Sequence, residues 1–143
     1  MGYVLGKDNK ISLIMPDWHT GEYDLYEIVV NDSNEVVGNI KFHYEVNKVI
    51  GNVEYFVFEE YRNKGYAKRA LKLLAKNVYK LDETDLFISI LPDNTASIKV
   101  ALSAGAVLEK KVKIPHRYIF GENGKYKYAN MYIIKDKNRG KSK

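Results

Sequence analysis

The chain has 143 residues, 45% of them hydrophobic and 29% charged, with a formal net charge of +5 and no cysteine. That length has room for one core and no second domain, and the lack of cysteine excludes disulfides, thiolate metal sites and a cysteine nucleophile. No apolar run is long enough for a membrane span, and residues 1–10 lack the basic-then-apolar pattern of a signal peptide, so a cytoplasmic protein is expected. Lys135, Lys137, Arg139, Lys141 and Lys143 against Asp136 give residues 135–143 a charge of +4, which leaves about +1 for the body. The basicity is therefore expected to belong to a solvated, flexible tail after a domain of residues 1–134, the alternative being an RNA-seeking arm.

Taken from the N-terminus, the first strand falls at residues 10–14, and residues 15–21, with Pro16 and Gly21, connect it to the next. Residues 22–30 alternate as a strand does, Asn31-Asp32-Ser33-Asn34 is a turn, and residues 36–44 are the hairpin partner. Val46-Asn47-Lys48 makes a second turn before the third strand of the meander at 50–58. Residues 66–80 set Ala67, Ala70, Leu71, Leu74, Ala75 and Val78 on one stripe, the spacing of a helix packed on a sheet. Residues 85–91 read as a buried strand. Asn94 then caps a short helix with Ile98, Ala101 and Leu102 on its apolar face and Gly105 as its stop. Residues 107–114 and 126–134 form a long antiparallel pair joined by a loop at 115–125. These elements make an α+β fold, a layered arrangement of helices on a sheet in which the central strand–helix–strand block supplies a parallel crossover.

The turn Arg62-Asn63-Lys64-Gly65-Tyr66-Ala67 stands between the third strand and the long helix. A glycine turn opening straight into a helix leaves backbone N–H groups without partners at the positive end of the helix dipole, which suits phosphate oxygens. Arg62, Lys64, Lys68 and Arg69 add positive charge at the same point; the plainer alternative is a strand-to-helix turn with solvated basic residues. From Val53-Glu54-Tyr55-Phe56-Val57 through Ala67 the chain resembles the acetyl-CoA signature of the GNAT superfamily of acyl-CoA-dependent N-acyltransferases. That signature is Arg or Gln, two residues, Gly, one residue, then Gly or Ala, met here by Arg62, Gly65 and Ala67. Asn94-Thr95-Ala96-Ser97, with Gly105 after it, resembles the second signature of the branch containing ribosomal-protein N-terminal acetyltransferases and many drug or polyamine acetyltransferases. The two matches cover roughly residues 50–106, in order and with the right spacing.

The resemblance implies a GNAT-like, mixed and mostly antiparallel twisted sheet with helices on both faces. It also implies direct transfer of an acetyl group from acetyl-CoA to a primary amine, on a small molecule or a protein N-terminus, without an acyl-enzyme. The cofactor's pyrophosphate would sit on the amides of Arg62, Asn63, Lys64, Gly65, Tyr66, Ala67 and Lys68. The pantetheine arm would lie along Phe56, Val57 and Phe58 like an added strand, with an N–H near Val57 polarising the thioester carbonyl. Asn94 would hold the arm or a water. A base must take the amine's proton; Glu54, beside the expected thioester, is the first candidate, and its alternative is a salt-bridged or solvent-facing carboxylate. The tyrosine with which many relatives protonate the leaving thiolate falls at Ala101 here and is absent. Ser97 is the candidate in its place, unless it bonds its own backbone.

Relatives usually place two helices between their first and second strands, and the seven residues 15–21 cannot form them. The acceptor side is then open, or completed by another subunit or by the loop at 115–125. His19, His116, Tyr118 and Glu109 are acceptor-side candidates or ordinary loop and strand residues, and Trp18 either lines the acceptor pocket or plugs the core edge. Few acidic residues are expected near the acceptor, so a polycationic substrate gains no special support. No residue pattern calls for a metal, and an exposed strand edge is compatible with a homodimer. The alternative function is a non-catalytic acyl-CoA-binding module or subunit, prompted by the missing helices and tyrosine.

Overall fold

In chain order the elements are β1 (Tyr3–Lys7), β2 (Ile11–Met15), β3 (Tyr23–Val30), β4 (Val36–Asn47), β5 (Gly51–Val57), α1 (Tyr66–Asp82), β6 (Leu86–Ile90), α2 (Thr95–Ser103), β7 (Val107–Lys113) and β8 (Tyr128–Ile134). The structure, a computed structural model, describes residues 2–82, 85–115 and 127–135. Eight strands form one sheet in the order β1-β2-β3-β4-β5-β6-β8-β7. Cross-strand register sets Leu13, Ile28, Ile40, Phe42, Val53 and Ile88 on one face, and all are buried. α1 lays Ala70, Leu71, Leu74, Ala75 and Val78 onto that face. Leu71 and Leu74 are fully buried there, and each contributes about 1.5–3 kcal/mol of transfer free energy. α2 adds Ala101 to the same core and touches both α1 and β6.

The α+β class and the antiparallel meander agree with the sequence. Residues 16–22 carry no helix, so the connection is as short as its Pro and Gly suggest. Helices were expected on both faces, and the two described helices share one. The second face carries Tyr23, Lys41, His43 and Glu54, side by side on β3, β4 and β5.

Four local readings change. A strand precedes the expected first one: of the five residues of β1 only Leu5 is buried, too weak an alternation to read. β4 runs to Asn47, into the predicted turn, because the Asn47 side chain accepts from the N–H groups of Val49 and Ile50 and so places the turn after itself. Leu102 is 51% exposed and leaves the core to Ala101. The crossover through α1 brings β5 and β6 side by side but not into a parallel ladder: they meet at a single bridge pair, Gly51 with Ile88. The cause lies in Asn52, only 1% exposed. Its Nδ2 donates to the Asp85 carbonyl at 3.1 Å and its Oδ1 accepts from the Phe87 N–H at 2.8 Å. A side chain thus satisfies backbone groups of the β6 segment that a continued ladder would have used.

Candidate active site

The parting of β5 from β6 turns part of β5 into an open edge. Phe58 N–H donates to the Val37 carbonyl on the β4 side. In an extended chain the neighbouring residue faces the other way, so Val57 points its N–H and carbonyl away from β4. The Val57 carbonyl accepts from Arg62 Nε at 2.9 Å, and the guanidinium lies 5.2 Å from the Phe56 ring centroid. Phe56 in turn packs edge-on against Phe58, with centroids 5.9 Å apart. Arg62 is therefore anchored on the strand and is not a loose charge at the turn. Phe56, Val57 and Phe58 form a half-open apolar rail ending at the start of α1.

That start has the features of an anion cradle. Asn63 and Gly65 both take positive φ, 65° and 80°, which reverses the chain between the 3-10 turn Glu59–Tyr61 and the helix. The Gly65 carbonyl accepts the Arg69 N–H as the first helical bond. The amides of Tyr66, Ala67 and Lys68 then fall in the first turn, where helix geometry supplies no acceptor. Nothing lies within 4 Å of where a Gly65 Cβ would stand, so the space before these amides is open and a phosphate can reach them. Lys64 and Lys68 are exposed beside it. Arg69 is not part of the cradle: its guanidinium bonds Asp8 and Asn9 at 3.1 Å each.

The cleft between β5, β6 and α2 has a volume of about 210 Å³ and is lined by Val53, Glu54, Tyr55, Ile88, Ser89 and Ser97, with Ile50 at its edge. Glu54 and Tyr55 belong to opposite faces of one strand, and they share a cavity because the strand's neighbour has moved off. Ser97 lies where the sequence expects it, at the start of α2. Its N–H is capped by Asn94 Oδ1 at 3.2 Å, so the Asn94 oxygen serves the helix while its amide NH₂ can meet a ligand. The Ser97 Oγ lies 2.9 Å from the Tyr55 hydroxyl, which also donates to the Ser97 carbonyl at 3.1 Å. Burial pushes the Tyr55 hydroxyl above its ordinary pKa, against a smaller downward pull from Ser97; it stays protonated at neutral pH. Tyr55 is given no role by the sequence motif in which it stands. Its one readable signal is that it stands next to Glu54 on the strand before the glycine turn.

Glu54 also borders a second pocket, of about 320 Å³, lined with His43, Glu45, Val46, Asn47, Ile50 and Gly51. Its Oε2 lies 2.6 Å from His43 Nε2. His43 had no place in the sequence argument, since only the β4–β5 register sets it beside Glu54. Beyond it the rings of Tyr23, His19 and Trp18 follow in contact, with centroids 5.1, 5.1 and 6.1 Å apart. His19 Nε2 meets the Tyr23 carbonyl at 2.8 Å. Trp18 is 70% exposed and plugs no core edge. Glu109 is exposed on β7, three strands from β5 in the sheet, and does not join the site. His116 and Tyr118 lie outside the described residues.

A cleft opened by strand separation and ending at the first-turn amides of α1 has the shape to take an extended ligand along a strand edge with an anion at its end. The model of the acetyltransferase (GNAT) domain family matches residues 7–107. Among solved structures, the fold resembles the ribosomal L7/L12 α-N-protein acetyltransferase RimL in complex with coenzyme A. The TM-score is 0.74 and the identity 20%, over 94% of this chain and 99% of that one. It also resembles a GNAT-family acetyltransferase from Bacillus anthracis, with a TM-score of 0.65 and 24% identity over 78% and 66% of the two chains. A spermidine N-acetyltransferase from Vibrio cholerae, in complex with CoA and spermine, scores 0.65 at 14% identity over 81% and 67%. No curated protein sequence matches the chain. The chain belongs to the GNAT acetyltransferase family. It is an N-acetyltransferase with acetyl-CoA as its donor. Among the described residues no helix is long and apolar enough to cross a membrane.

Proposed function

We propose that this enzyme acetylates a primary amine, of a small molecule or a protein N-terminus, at the point where the two pockets meet on Glu54. The observation that carries the reading is the separation of β5 from β6 after one bridge pair, which turns Val57 toward a cleft ending at the amides of α1. Acetyl-CoA brings an acetyl group activated as a thioester. The amides of residues 62–68 hold its phosphates, and Phe56, Val57 and Phe58 guide its arm. The Val57 N–H faces the carbonyl oxygen and stabilises the charge that grows there. Glu54 drives removal of a proton from the amine, directly or through a group or water that it holds. The Ser97 hydroxyl, held by Tyr55, gives a hydrogen bond to the departing sulfur. Asn94 fixes Ser97 by capping its helix and lends its NH₂ to the arm.

The reading extends to the cytoplasm, supported by the lack of cysteine, and to a homodimer, supported by Val107 and Leu108, each 56% exposed on the edge strand β7. Calorimetric titration with acetyl-CoA, repeated on Gly65→Glu, tests the donor site. The added side chain meets open space, so it costs about 1 kcal/mol of backbone strain at positive φ while placing a carboxylate before the amides. Micromolar binding, worth about 8 kcal/mol, should appear in the native protein and vanish in the variant. Equal binding by both proteins would show that the phosphates sit elsewhere.

A further inference from the structure

Building on that reading, we propose that the acceptor's proton goes to His43, with Glu54 as the carboxylate that holds the imidazole in place. Glu54 Oε2 and His43 Nε2 are 2.6 Å apart. An ionised carboxylate only accepts, so the Nε2 carries the hydrogen and donates it, which leaves the lone pair on Nδ1. No hydrogen bond to Nδ1 is found among the described residues, and the imidazole borders the 320 Å³ pocket together with Glu45. The side chains of His43 and Glu54 are 31% and 50% exposed, so the pair is reachable from the pocket without being lost in solvent.

The groups facing His43 come from three elements. Glu54 is on β5, Tyr23 stacks on the imidazole from β3 at 5.1 Å, and Lys41 and Glu45 flank it along β4. His19 stacks on the far side of Tyr23. Lys41 is drawn off toward the Tyr23 ring, 5.5 Å from its centroid, so the charge bordering the pocket is that of Glu45 and Glu54. A primary ammonium is the species such a pocket attracts. Its nitrogen loses one proton to Nδ1, and the resulting imidazolium is stabilised by Glu54. The freed lone pair forms the C–N bond at the thioester carbon as the C–S bond breaks. The second nitrogen proton passes to the thiolate, and the imidazolium returns its own proton to solvent through the pocket mouth. Glu54 is thus a positioning residue and His43 the base.

The test uses the full chain with acetyl-CoA and a panel of primary amines, following His43→Ala, His43→Gln and Glu54→Gln. His43→Ala should lower kcat/KM by about 100-fold, the low end of general-base effects, while leaving acetyl-CoA binding unchanged. The lost rate at neutral pH should return in part when imidazole is added to His43→Ala, and the residual rate should climb with pH as more of the amine is neutral. His43→Gln keeps volume and polarity and should be as slow as His43→Ala, which separates chemistry from folding. Glu54→Gln should be less impaired than His43→Ala and unresponsive to imidazole. If the wild type turns over an amine and either His43 variant stays within threefold of it with the same pH profile, the dyad is wrong and the transferase reading stands. If the wild type binds acetyl-CoA and acetylates no amine, the transferase reading falls and the dyad with it.

Discussion

Replacing Asn52 by Ala should be the most costly single change near the site that touches no ligand. The amide side chain is 1% exposed and serves both the Asp85 carbonyl, at 3.1 Å, and the Phe87 N–H, at 2.8 Å. Truncation would leave the Phe87 N–H with no acceptor and take one donor from the Asp85 carbonyl. A buried polar group left without its partner costs about 1–3 kcal/mol, and the Phe87 N–H alone sets a loss of that size. A loss of about 3 kcal/mol lowers the melting temperature of a domain of this size by about 6–12 °C. Urea denaturation checks it directly: the midpoint should fall while the m-value holds, since the surface exposed on unfolding is almost unchanged. Asn52→Asp keeps an acceptor for Phe87 but, when ionised, sets a negative charge against the Asp85 carbonyl. It should be no better at neutral pH and should recover on acidification. A loss under about 0.5 kcal/mol for Asn52→Ala, the size expected of an ordinary surface change, would refute the idea that this side chain stands in for the missing ladder.

Tyr55→Phe removes the hydroxyl that holds the Ser97 carbonyl and Oγ. It should cost about 1 kcal/mol of stability and lower kcat roughly tenfold through misplacement of Ser97, with KM for acetyl-CoA little changed in steady-state assays. Asp8 ties β1 to α1: burial raises its pKa, but hydrogen bonds from Ile11 and Lys10 and the Arg69 guanidinium outweigh it and leave the carboxyl below its ordinary value. A depressed carboxyl stabilises the fold above its unfolded pKa and loses that contribution as pH falls through the folded one. Asp8→Asn should therefore be less stable than the native chain by up to about 1 kcal/mol at pH 7, the gap closing below about pH 4. A gap in thermal melts that fails to narrow as the pH falls below about 4 would contradict this assignment.

The residue order carried a large share of the answer. Apolar periodicity predicted α1 and the β3–β4–β5 meander to within a few residues, because a stripe of Ala70, Leu71, Leu74 and Val78 has one low-energy way to leave water. Local backbone chemistry was equally legible: Gly65 at positive φ and Asn94 as a cap are decided by neighbours a few residues away. These give the family resemblance its motifs. What the chain order could not show depends on register across the sheet. β1 is an edge strand with a single buried side chain, and its identity comes from pairing with β2. The parting of β5 and β6 turns on one buried amide reaching across from residue 52 to residues 85 and 87.

The same division runs through the site. Glu54 and Ser97 could be named from motif position, since each sits at a fixed offset from a glycine turn or a helix cap. Their partners could not be. His43 lies 11 residues from Glu54 and Tyr55 lies 42 from Ser97, and a one-residue slip in strand pairing would send either side chain to the opposite face. The sequence by itself determined the turn geometries, the amphipathic stripes and hence the donor side. Tertiary structure alone decided the pairs that meet at the chemistry, because contact across strands is set by register and by which neighbouring strand departs.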